Sequence, residues 1–173
     1  TKEELEIYYP SKVIDQSIEM NAVIFEQGSN VVLVISVDAL FITEEFRDHI
    51  LNQFKGKLKK ENIFIVATHT HYAPFYDESK PNLGIVNKSF KALVFKKLIK
   101  LVYKVLDRNA LDAVIKYQSI NTDKLSISRR KSAWYLKKRI KIIYKAMNNY
   151  PNNEVSIDKQ LIIMKVLDKK KKK

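Results

Sequence analysis

The chain has 173 residues, 46% of them apolar, which is enough for one domain with a real core. It contains no cysteine, so disulfides, a disulfide-linked partner and thiolate metal sites are excluded. A formal charge of +13 would suit membrane phospholipid, nucleic acid or acidic partners, but a lysine-rich background composition with a disordered tail is the favoured reading of it.

In chain order, residues 20–26 read as a strand and Gln27-Gly28-Ser29-Asn30 as a hairpin-type turn. Residues 31–37 are almost wholly apolar and β-branched, the pattern of a strand buried on both faces. Thr43 is placed to cap a helix through Phe46, Ile50, Leu51 and Phe54, with Glu44 and Glu45 in its first turn. Gly56 and the lysines after it end that helix, and residues 62–68 form the next buried strand. Residues 72–87, with Pro74, Pro81 and Gly84, read as a loop. A helix over about 89–106 follows, with Phe90, Val94, Leu98 and Val102 on its apolar face. Its lysines, Lys91, Lys96, Lys97, Lys100 and Lys104, read as a solvated face. Residues 111–120 alternate as a strand, 125–128 continue extended, 134–147 suggest a short basic amphipathic helix, 150–154 a turn and 160–167 a last strand.

Strand, helix, strand between Val31 and Thr68 is a βαβ unit, whose two strands are expected to run parallel. The expected fold class is therefore α/β: a mixed, largely parallel sheet with flanking helices, its βαβ unit carrying a His-X-His motif. Two of the three histidines, His69 and His71, stand where the second strand ends. Side chains two apart on extended backbone face the same way, and neutral imidazole is a common zinc ligand. Ligands of open α/β sheets sit beyond the carboxyl ends of the strands. Asp38 ends the first strand, so Asp38, His69 and His71 are expected to converge at one edge. Asp38 then either supports a metal site or caps the turn after its strand. His49, on the first helix, reads as a surface or core-edge residue.

Three separated stretches resemble the amino-terminal domain of the neutral/alkaline non-lysosomal ceramidase family. The first is Asn21-Ala22-Val23-Ile24-Phe25 followed by Val31-Val32-Leu33-Val34-Ile35-Ser36-Val37-Asp38-Ala39-Leu40. The second, the most specific, is Ala67-Thr68-His69-Thr70-His71-Tyr72-Ala73-Pro74, similar to the family's Ala-Thr-His-Thr-His-Ser-X-Pro. The third is Ser126-Ile127-Ser128-Arg129-Arg130, followed by the segment 155–166. The resemblance spans about residues 12 to 168 and implies one ceramidase-like α/β domain over 1–168, incomplete relative to the family, with a disordered lysine tail over 169–173.

The resemblance implies a zinc-dependent amidohydrolase acting on a lipid-like N-acyl substrate. It makes His69 a zinc ligand, with Asp38 and His71 as supporting groups, and makes His71 and Arg129 substrate contacts. A surface role in a basic stretch suits Arg129 equally well. Tyr72 replaces the small residue after the second histidine, and Ser128 stands where asparagine is usual. The family's later histidine, glutamate and tyrosine ligands and its serine have no counterpart here. The nearby substitutes are Asp38, Tyr72, Tyr76, Asp77 and Glu78. No catalytic residue is assigned, and the chain is expected to be a fragment, truncated product or diverged short relative, inactive by itself.

The alternative function is a basic surface-binding module. Residues 129–145 would meet anionic membrane, with Trp134, Tyr135 and Tyr144 at the boundary. Nucleic acid is the less favoured partner, because the basic zones lack the Gly-aromatic signature of an RNA-binding sheet. No apolar run approaches the length of a membrane span, and the start shows no secretory signal pattern, so the compartment stays open.

Overall fold

The computed structural model describes residues 13–80, 83–122, 125–137 and 142–169. The chain divides into two units, Thr1–Ala110 and Leu111–Lys173.

In the first unit, β1 (Met20–Gln27) and β2 (Asn30–Val37) form an antiparallel hairpin closed by the pair Gln27↔Asn30. Gly28 sits at φ +58 in the turn, a conformation that suits a residue without Cβ. After β2 the chain enters α1 (Glu44–Gln53) and returns as β3 (Ile63–Ala67), parallel to β2 from Leu33↔Ile63 to Val37↔Ala67. The sheet order is β1-β2-β3. Thr43 is the α1 cap residue by position, but its side chain makes no capping bond and its Oγ1 is buried without a partner. The cap expected from sequence is thus backbone-only. Helix α2 (Lys88–Leu106) does have a side-chain cap: Phe90 N–H donates to Asn87 Oδ1 at 3.0 Å.

One face of this sheet holds the core. Leu33, Ile35 and Val37 alternate inward from β2 and are fully buried against Phe46 and Ile50 of α1 and Val94, Leu98 and Val102 of α2. The other face is open: Phe64 and Val66 of β3 are 53% and 56% exposed, and Val32 and Val34 are half-buried. The expectation that β2 is buried on both faces is corrected. A β-branched run marks a strand, but only a second layer buries its far side.

In the second unit, β4 (Ala113–Asn121) pairs antiparallel with β7 (Gln160–Asp168), and β5 (Ser128–Lys137) pairs antiparallel with β6 (Ile142–Asn152). Each is a two-stranded sheet. This overturns the largely parallel sheet with flanking helices: β2·β3 is the one parallel pairing among the described residues, and the other three pairings are antiparallel, two of them forming separate two-stranded sheets. The physical reason is that β4 pairs with a strand forty residues further on, so no second βαβ unit forms. The helix expected over 134–147 is overturned too, because its described residues lie on β5 and β6. Its aromatic and β-branched residues favour a pleated ribbon over a helix. Of the expected lysine tail, Lys169 donates its N–H to the Asp112 carbonyl at 3.0 Å, and residues 170–173 lie outside the described residues. No described helix is long and apolar enough to cross a membrane.

Candidate functional site

The carboxyl ends of β2 and β3 lie side by side, which brings Asp38 against Thr68. Thr68 N–H donates to the Val37 carbonyl at 3.0 Å, extending the parallel ladder by one bond. The Thr68 hydroxyl donates to Asp38 Oδ1 at 3.0 Å, and Glu19 N–H donates to Asp38 Oδ2 at 2.8 Å. Asp38 N–H in turn donates to the Glu19 carbonyl at 2.9 Å. Asp38 therefore clasps β2 to β3 and to the chain entering β1. Each of its oxygens accepts one hydrogen bond.

His69 follows at φ +60, in the left-handed region that a non-glycine residue adopts only when its surroundings hold it there. That reversal takes the chain out of extended conformation, so the two histidines do not project from one strand as the spacing suggests. A turn brings them together instead, their rings edge-on with centroids 5.4 Å apart. His69 Nδ1 lies 2.8 Å from the Leu40 carbonyl. A carbonyl only accepts, so Nδ1 carries the proton in this contact and Nε2 holds the lone pair of the neutral ring. The Phe41 ring packs edge-on to His69, centroids 5.4 Å apart. Both histidines are exposed.

Beside them, the segments after β2 and β3 wall an open cavity of about 730 Å³, lined in part by Phe41, Thr43, Tyr76, Asp77, Lys80 and Lys91. Each acidic or phenolic group near the histidines is already committed or exposed. Tyr76 is buried between Phe46 and Phe90, ring centroids 5.6 and 6.1 Å away. Burial, with the nearby Asp38 charge, pushes its hydroxyl up to about 12. Asp77 accepts from the Lys80 ammonium and from the Ser79 hydroxyl and N–H, and these bonds hold its carboxyl down at about 2 against the opposing effect of burial. Lys91, largely covered, lies 2.6 Å from Glu45 and 3.7 Å from Glu78. It thus differs from the solvated lysines of its helix. Tyr72 is almost wholly exposed.

Among the described residues, no group of three or more His, Asp or Glu side chains is gathered as a metal would need. His49 is half-buried and stacks on Phe95, centroids 4.7 Å apart, at the core edge. Arg129 is exposed on β5 in the second unit, where the β5–β6 register shifts between Ser128 and Arg130. Sequence reasoning missed the Leu40 carbonyl, the Phe41 contact and the Lys91 pairs. The first is a backbone atom with no residue-type signature, and Lys91 is hidden among lysines of the same helix.

The chain matches no family model, no curated protein and no solved structure.

Proposed function

We propose that the edge formed by Asp38–Leu40 and Thr68–His71 is part of a ceramidase-like zinc amidohydrolase site for a lipid-like N-acyl substrate. The observation that carries it is the Leu40 carbonyl on His69 Nδ1. A main-chain carbonyl bonded to one ring nitrogen is how proteins fix the tautomer and orientation of a metal-ligating histidine, with the other nitrogen left for the metal. The left-handed backbone at His69 supports the same reading, since strain of this kind concentrates at functional sites. Zinc held there would polarise an amide carbonyl and lower the pKa of its water. His71 is the substrate-positioning neighbour. Arg129 is a substrate contact by resemblance alone.

Two imidazoles make an open, weak site, because a closed one takes four ligands. Zinc titration of the chain by calorimetry is therefore expected to show weak, chelator-labile binding that His69→Ala abolishes. Hydrolysis of a ceramide-like amide with zinc supplied is expected at background. Chelator-resistant zinc that survives His69→Ala would refute the assignment of the ligand. Turnover that depends on zinc and His69 would show a complete site built from other residues.

A further inference from the structure

The β5–β6 ribbon has two unlike faces. Alternate residues of β5 and their partners put Arg130/Asn149, Ser132/Met147, Trp134/Lys145 and Leu136/Ile143 on one face. On that face Trp134 is 71% exposed, Ile143 67%, Met147 61% and Leu136 57%. Lys145 Nζ stands 5.9 Å from the Trp134 ring. On the other face, among the described side chains, Asn148 donates to the Tyr135 hydroxyl, Lys131 pairs with Glu154 beyond the strand end, and Ala133 and Ala146 oppose each other.

A two-stranded ribbon cannot bury its own apolar face, so Trp134, Leu136, Ile143 and Met147 stand in water without a cover from their own strands. Ser128–Asn152 contains no Asp or Glu, while Arg130 and Lys145 lie on the same face as these apolar residues. Aliphatic and indole groups interleaved with cations suit a bilayer interface: the apolar groups enter below the headgroups and the cations meet lipid phosphate. Nucleic acid would use the cations and the indole but gives little to Leu136, Ile143 and Met147. A second copy placed face to face would set Arg130 and Lys145 against their like.

We propose that the Trp134–Leu136–Ile143–Met147 face of the β5–β6 ribbon docks on an anionic phospholipid bilayer. This inference is independent of the zinc site. Trp134 is the chain's one tryptophan, so its fluorescence reports this face alone. The test adds vesicles of phosphatidylcholine with or without about 30% phosphatidylserine to the full chain. Expected are a blue shift with the anionic vesicles, quenching by bromine-labelled acyl chains and binding at least tenfold weaker without phosphatidylserine. Arg130→Ser with Lys145→Ser should weaken binding about 25-fold, at about fivefold per cation near the surface. Leu136→Ser with Ile143→Ser should abolish the shift; both residues are exposed, and far-UV circular dichroism of each variant checks the ribbon. Three results would overturn the proposal: vesicle binding with no Trp134 shift, a shift that grows with protein concentration alone, or a shift produced equally by duplex DNA.

Discussion

The first unit turns its apolar residues into a core and the second leaves them on the surface. Strand, helix, strand, helix in residues 20–106 gives the β1–β2–β3 sheet a second layer, and Leu33, Ile35, Phe46, Ile50, Leu98 and Val102 disappear from solvent. Residues 113–168 are also rich in β-branched, aliphatic and aromatic side chains, yet Tyr117, Trp134, Ile162 and Met164 stay exposed. There, Asn152 is the buried residue among those described. Apolar content measures what a segment can bury, whereas burial follows from topology, because a single layer has nothing to face.

The largest expected effect tests that contrast directly. Leu98→Ala should destabilise the first unit by about 3–5 kcal/mol through lost contacts and a residual cavity. Met164→Ala, at an exposed position on β7, should stay within about 0.5 kcal/mol. Urea melts followed by circular dichroism give both numbers. A Met164→Ala loss as large as that of Leu98→Ala would mean that the β4–β7 face is covered in the native protein.

The Asp38 clasp comes next. Asp38→Ala leaves the Glu19 N–H and the Thr68 hydroxyl without their acceptor and should cost about 2–3 kcal/mol. Thr68→Val removes one hydroxyl bond and should cost about 1 kcal/mol. If Asp38 instead served mainly as a metal ligand, its loss would change zinc affinity and leave the melt unmoved.

How far the sequence made this molecule legible follows the same division. The β2–α1–β3 unit is readable because a β-branched run, a helical stripe and a second apolar run stand in order, and that order alone places Asp38 beside the His-Thr-His segment. The second unit is not readable in this way. Nothing local to residues 113–121 says that their partner lies at 160–168, and the apolar residues of 134–147 satisfy a helical count as readily as an alternating one. Within the site, the residue types that make His69 unusual are ordinary. What distinguishes it is a dihedral angle and a main-chain oxygen, and neither leaves a mark in composition.

Tyr76 gives a pH-dependent test of the first unit's core. Its folded hydroxyl is raised from the ordinary value near 10 to about 12, so the folded state holds the proton where the unfolded chain releases it. The stability this gives is fully present below pH 10 and is lost as the pH rises toward 12. The loss should be on the order of 2 kcal/mol. Lysines titrate in the same window, so the quantity to measure is the difference between the native chain and Tyr76→Phe in urea melts at pH 9 and pH 11.5. The native chain should lose more over that interval, and equal losses would place Tyr76 in a wetter site than the core between Phe46 and Phe90.

The smallest effect concerns His69, where two terms nearly cancel. His69→Ala deletes the bond to the Leu40 carbonyl, worth about 1 kcal/mol, and keeps the cost of a Cβ at φ +60. His69→Gly deletes the same bond but also removes the left-handed penalty, of order 1 kcal/mol. The glycine variant should therefore sit within about 0.5 kcal/mol of the native chain and about 1 kcal/mol above the alanine variant. That ordering separates a backbone held in strain for the sake of its imidazole from one that is merely exposed. Alanine equal to glycine in the melt would mean that residue 69 relaxes out of the left-handed region once the ring is gone, so that the Leu40 contact alone holds the turn and the strain is not stored in the chain around it.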